Sequence, residues 1–220
     1  MAKTKWLHIS DMHMNKCGVD NEIMRQELLE HLQKNNIQCQ YVFVTGDLRY
    51  APEGDFADKT VSFLEKLCDS VGAKPENLFI VPGNHDVERD NPARSQAIDA
   101  VCGADGYYDA RTGVIHSEDM QGLKAGRDGW YSIIEKVYED FPERAYMYEE
   151  PDVLHFCVKT EHFNFVHLDS VLAYTKQKQR DLIVGTEQLM KVFDETDPTK
   201  TRRHLNYNWK NESEKTTILN

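Results

Sequence analysis

Apolar residues recur along this chain in short runs that alternate with stretches of helical periodicity. Trp6-Leu7-His8-Ile9, Tyr41-Val42-Phe43-Val44 and Leu78-Phe79-Ile80-Val81 read as β-strands, each followed closely by polar or glycine residues. Between them, Ile23, Met24, Leu28 and Leu32 predict one apolar helix face. Val61, Leu64, Cys68 and Val71 predict another, with Gly72 where a helix C-cap would stand. The spacing is 36 residues from Asp11 to Asp47 and 37 from Asp47 to Asn84, room each time for a helix and a return strand. This alternation predicts an α/β protein built on a mainly parallel sheet with flanking helices.

Further along, Asn91-Pro92 opens a predicted helix to about Cys102, with Asn as N-cap and Pro in the first turn. Gly103 to Asp128 reads as irregular. Trp130, Ile133, Ile134, Val137 and Phe141 then mark an amphipathic helix stopped by Pro142. Strands follow at about 153–159 and 163–168, joined tightly through Glu161-His162, and Gly185 to Phe193 predicts a last helix. Residues 88–150 are expected to form a helical and irregular insertion beside the sheet edge, within a domain of residues 1–195. A polar tail is expected over 196–220.

The three strand ends carry the chemistry: Asp11-Met12-His13, Gly46-Asp47 and Gly83-Asn84-His85-Asp86. Crevices outside the carboxyl ends of parallel strands are where α/β proteins place their sites. With these motifs in this order, the chain resembles the calcineurin-like metallophosphoesterases, marked by Asp-x-His, Gly-Asp and Gly-Asn-His-Asp (or Glu) at strand ends. The resemblance is specific over residues 4 to 90 and looser from 153 to 195, where Leu168-Asp169-Ser170 also matches. It implies the calcineurin-like phosphoesterase sandwich and a two-metal hydrolase acting on phosphate mono- or diesters through metal-activated water. The family's later His and Gly-His-x-His motifs are not found, and no Gly-His pair occurs in the 220 residues. The resemblance therefore implies a fold without its usual C-terminal half.

Residue chemistry fits that scheme. Two divalent ions ~3.5–4 Å apart can clamp the attacking and leaving oxygens of a displacement at phosphorus. Asp47 suits the bridging position, Asp11 and His13 would complete one ion, and the Asn84 amide oxygen suits the other. Mixed nitrogen and oxygen donors favour Mn, Fe, Zn or Ni. By resemblance, His85 faces the phosphate as an acid–base group, with Asp86 orienting its imidazole. Asn84 and His85 are also expected substrate contacts, and Arg49 meets either a phosphate oxygen or a surface ion pair. After Asp194 the one remaining histidine is His204, away from any apolar run. The second ion would need His204, another copy of the chain or a partner domain, so one ion is expected to bind well and the other weakly. The alternative is a non-catalytic, truncated metallophosphoesterase-like module with a binding or regulatory role. His8, His31, His155, His162 and His167 lie in predicted strands, turns or helices and read as structural.

Composition narrows the partners. With 26 Lys and Arg against 37 Asp and Glu, the net charge of −11 weighs against broad nucleic-acid binding and favours a small phosphate ester or nucleotide. The basic groups Lys176, Lys178, Arg180 and Lys200, Arg202, Arg203 read as solvated loop faces. No apolar stretch approaches the ~20 residues of a membrane helix, and the first residues lack a secretory h-region. Five scattered cysteines without Cys-x-x-Cys spacing suit a reducing compartment, so a cytoplasmic location is expected.

Overall fold

The computed structural model describes residues 3–16, 18–50, 57–109, 111–175, 183–196 and 216–219, the last four as backbone only. In chain order the elements are β1 (Trp6–Ile9), α1 (Val19–Lys34), β2 (Tyr41–Thr45), α2 (Ala57–Val71), β3 (Leu78–Val81), α3 (Pro92–Cys102), α4 (Ser117–Lys124), α5 (Asp128–Val137), α6 (Pro142–Glu149), β4 (Phe156–Lys159), β5 (Asn164–His167), α7 (Thr186–Thr196) and β6 (Thr216–Leu219). They group into two compact units: Met1–Glu88 with Gly126–Glu149, and Arg89–Ala125 with Glu150–Asn220.

The first unit is organised by a parallel sheet in the order β1-β2-β3, with Trp6 opposite Tyr41 and Val42 opposite Leu78. The last four residues of β3 and the first four of β2 are all buried, as expected for strands covered on both faces. One face is aromatic, with Phe43 and Phe79 centroids 5.5 Å apart and Tyr41 and Phe79 6.1 Å apart. Helix α2 packs against α1 and α5 with Leu64, Leu67 and Val71 buried, and ends at Gly72 as the periodicity predicts.

Helix α1 departs from its predicted face. Ile23 and Met24 are each 52% exposed, while Arg25 and Leu32 are buried. At about 100° per residue, a stripe through 25, 28, 29 and 32 carries position 23 to the far side. The Arg25 Nη1 donates to the Met12 carbonyl at 3.3 Å, which fixes that rotation.

The span 88–150, read from sequence as one insertion, is shared between the units. Residues 126–149 belong to the parallel sheet's unit because Trp130, Ile133, Ile134 and Tyr138 are needed in its core. They also serve the free edge of β3. The Tyr138 hydroxyl donates to the Leu78 carbonyl at 2.8 Å and that of Tyr148 to the Ile80 carbonyl at 2.7 Å. Arg144 Nη1 donates to the Glu76 carbonyl at 2.7 Å, and its guanidinium lies 5.2 Å from the Phe79 ring centroid. An edge strand presents a row of unpaired carbonyls, and these side chains occupy them. The helix expected to run through Phe141 to Pro142 ends earlier, at Val137, and Pro142 begins the next helix, as proline at a first helical position does.

In the second unit, Asn91 caps α3 as expected, its side-chain oxygen accepting from Ala93 N and Arg94 N at 3.1 and 3.2 Å. The cluster Ala97, Ile98, Val101, Met120, Leu123, Leu172 and Ile183 forms its core. Helix α4 arises inside the stretch read as irregular, where only Met120 and Leu123 of its first seven residues turn inward as hydrophobes. Arg94 is fully buried and donates to the carbonyls of Leu123 and Val171, tying α3 to the end of α4 and to the segment after β5. The predicted hairpin is present as antiparallel β4 and β5, shorter than expected. Strand β6 pairs parallel with β5 in the order β4-β5-β6, within the residues read as a polar tail.

Because the Tyr148 hydroxyl sits on a buried edge carbonyl, Tyr148→Phe should lower stability by about 1–3 kcal/mol, the cost of a buried group left unsatisfied. Urea unfolding of the full chain measures it; an unchanged midpoint would mean that water replaces the hydroxyl.

Candidate metal centre

Strand order places the three motifs side by side. Asp47 follows central β2, flanked by Asp11 and His13 after β1 and by Asn84 and His85 after β3. Ligand atoms of Asp11, His13 and Asp47 all lie within 4.8 Å of one another. The loop after β1 continues the sheet's hydrogen bonding: Asp11 N donates to Gly46 O at 3.2 Å, His13 N to Asp47 O at 2.9 Å and Met14 N to Leu48 O at 2.7 Å.

Backbone strain concentrates here. Asp11, His13 and Asp47 adopt φ of 58°, 45° and 54°, a region that costs non-glycine residues energy and persists where neighbours enforce it. Gly46, at φ 91°, and Gly83 let the second and third loops touch. A Cβ on Gly46 would fall 2.7 Å from the Gly83 Cα, and one on Gly83 would fall 2.2 Å from Asp47 Oδ1. His85 N donates to Asp47 Oδ1 at 2.9 Å, so Asp47 is held by the third loop as well as the first. Asn84 is half-buried between Gly83 and His85 in that same loop.

The donor set suits a divalent ion. Ser10 Oγ donates to Asp11 Oδ2 at 2.6 Å, and His13 Nδ1 lies 3.2 Å from the Arg49 carbonyl. A carbonyl can only accept, so His13 carries its proton on Nδ1 and offers the Nε2 lone pair, the arrangement usual for a metal-bound imidazole. A second group of possible ligands, His116, Glu118 and Asp119, gathers in the other unit at the start of α4. Its setting opposes a cation, because a helix N-terminus carries partial positive charge.

Two expected roles are corrected by the geometry. Asp86 was expected to orient the His85 imidazole; instead it is fully buried and binds backbone. Its Oδ1 accepts from Arg49 N at 2.9 Å, and its Oδ2 from Gly83 N at 2.8 Å and Leu48 N at 3.4 Å. Burial pushes this carboxyl up to about 6, opposed by the N–H groups of Gly83 and Arg49, while the Asp47 charge pushes it further up. Arg49 is no surface ion pair: it is 4% exposed and its guanidinium lies against Gly129, where a Cβ would fall 1.7 Å from Nη1. Burial pulls its pKa down, and the charges of Asp86 and Glu88 oppose that shift. His204 lies outside the described residues.

Sequence reasoning missed Asn15, Lys16 and Tyr50. The Tyr50 ring stacks on His85 at 5.4 Å and 13°, and His13 stands edge-on to both. Lys16 Nζ is 4.9 Å from the Tyr50 ring centroid. No spacing rule marks these three residues, since their position follows from how the first two loops lie alongside each other.

The calcineurin-like phosphoesterase family model matches residues 4–215, and the chain belongs to that family. A Bacillus subtilis (strain 168) protein named "Uncharacterized metallophosphoesterase-like protein YydB" is 26% identical over 194 residues, 87% of this chain and 38% of the relative. The chain thus spans less than half the length of the curated relative it matches. The fold is the calcineurin-like α/β fold, and the family is generally one of metal-dependent phosphoesterases. Among the described residues no helix is long and apolar enough to cross a membrane.

Since Asp86 joins loops and does not touch the imidazole, Asp86→Ala should cost at least about 2 kcal/mol of stability, because it strands buried N–H groups worth ~1–3 kcal/mol each. Full stability with turnover alone impaired would restore the imidazole-orienting role.

Proposed function

We propose that this chain is a metal-dependent phosphoesterase, hydrolysing a phosphate mono- or diester of a small molecule or nucleotide. The observation that carries the reading is the convergence of Asp11, His13 and Asp47 at the carboxyl ends of parallel strands, with the His85 ring 5.1 Å from that of His13. Asp11, His13 and Asp47 would hold one divalent ion, and Asn84 with Asp47 the second. Bound metal would supply charge neutralisation at phosphorus and a water acidified toward a pKa of ~7.

The chain's own residues supply the rest. Asp47 is held by the His85 N–H and by the His13 N–H on its carbonyl, so its carboxylate is aimed before any ligand arrives. Such preorganisation spares reorganisation at the moment of reaction. His85 stands beside the metal ligands with one ring nitrogen occupied and the other open, and would hand a proton to the leaving oxygen. Asn84 and His85 are the proposed phosphate contacts; the burial of Arg49 favours a structural part for it. The net charge of −11 supports a small substrate over a polynucleotide.

His85→Ala should lower hydrolysis of a generic aryl phosphate ~10²–10⁴-fold with metal content intact. Asp47→Ala should lose both turnover and metal. Equal metal loss in the two variants would make His85 a ligand and overturn its assigned role.

Among the described residues, Asp11, His13 and Asp47 would serve one ion, and Asn84 with shared Asp47 the other. Three is the usual number at an open catalytic site. Titration of chelator-stripped protein with Mn²⁺ should therefore give one site clearly tighter than a second. Two equally tight sites would require further ligands, such as His204 or a second copy of the chain.

A further inference from the structure

With Asp86 committed to backbone, something else must orient His85. Its Nδ1 lies 2.6 Å from the Tyr50 carbonyl oxygen. Tyr50 is in turn held from the loop after β1, its backbone N–H donating to Asn15 Oδ1 at 2.5 Å. The path is short and continuous: Asn15 side chain, Tyr50 peptide groups, His85 imidazole. It extends the alignment of the two loops by one more step past the Met14 to Leu48 bond.

We propose that Asn15 is a positioning residue for His85: by fixing the Tyr50 backbone it locks the imidazole in its Nδ1–H tautomer and presents Nε2 to the phosphate ester. This rests on the reading of His85 as the acid–base group. The tautomer follows from elementary hydrogen bonding, because a carbonyl oxygen has no proton to give and the ring nitrogen facing it must donate. The same segment treats both site histidines alike. Consecutive carbonyls, those of Arg49 and Tyr50, face Nδ1 of His13 and Nδ1 of His85. Both imidazoles therefore keep Nε2 for the site, one for the metal and one for the substrate. Stacking of the Tyr50 ring on His85 limits rotation about the same hydrogen bond.

Asn15→Leu removes the acceptor at near-constant volume, and Asn15→Asp keeps an acceptor oxygen. The full chain, labelled with ¹⁵N-histidine and stripped of metal, is compared by two-bond ¹⁵N–¹H correlation, with His85→Gln identifying the His85 signals. Wild type should show His85 protonated at Nδ1, and Asn15→Leu a mixture of tautomers. Aryl-phosphate turnover of Asn15→Leu should fall about 10–100-fold, the usual cost of losing an outer-shell partner. KM and Mn²⁺ content should not change, and Asn15→Asp should restore most of the rate. A wild-type His85 ring protonated at Nε2 and not at Nδ1 would overturn the proposal, as would an Asn15→Leu spectrum identical to wild type or loss of Mn²⁺ in that variant. If no variant nor wild type hydrolyses phosphate esters, the phosphoesterase reading fails, and the tautomer spectra still decide whether Asn15 positions His85.

Discussion

Asp86 is fully buried, and its two oxygens accept backbone N–H groups from Leu48, Arg49 and Gly83. Those groups lie on two loops, one after β2 and one after β3, that would otherwise meet only where glycine permits it. Tying them together brings Gly46 onto Gly83 and sets the His85 N–H on the Asp47 carboxylate. An ionised carboxylate is costly to bury, and here several N–H donors offset that cost. Everything placed by the second and third loops depends on this joint: the aim of Asp47, the position of Asn84, and the reach of His85.

The parallel sheet supplies the frame for it. Asp47 ends the central strand, so it is the one carboxylate with neighbours on both sides, which is what a shared ligand requires. The sheet holds this edge steady because β2 and β3 are buried on both faces and the free side of β3 is occupied by Tyr138, Tyr148 and Arg144. Among the described residues, four non-glycine residues have positive φ, and three of them are Asp11, His13 and Asp47. Strain of this kind survives only where the surroundings over-determine the conformation, and the ladder from Asp11 to Met14 provides that.

The imidazoles are governed by backbone. Arg49 and Tyr50 contribute carbonyls, which makes the path of the chain after Gly46-Asp47 more consequential than the side chains it carries. The Arg49 side chain turns into the interior against Gly129, where it serves the packing of α5. A residue that reads as a phosphate contact by its charge is thus given another task by its burial.

Much of the fold was legible in the residues alone. The three strands, α2 with its closing glycine, the Asn91 cap and the β4–β5 hairpin all follow from local signals of periodicity, capping and turn chemistry. The gathering of Asp11, His13 and Asp47 was legible for the same reason, since groups just past strand ends fall on one sheet edge when the strands run parallel. What sequence could not decide were matters of rotation and long-range choice. The face of α1 turned on one hydrogen bond from Arg25 to a loop carbonyl, and the allocation of 126–149 turned on which core lacked Trp130 and Tyr138. Asp86 stands next to His85 in the chain, yet tertiary structure gave its oxygens to N–H groups of distant loops, and gave His85 to the carbonyl of Tyr50. Local pattern determines which groups are available; only the folded backbone, whose N–H and C=O groups carry no sequence signature, determines which of them meet.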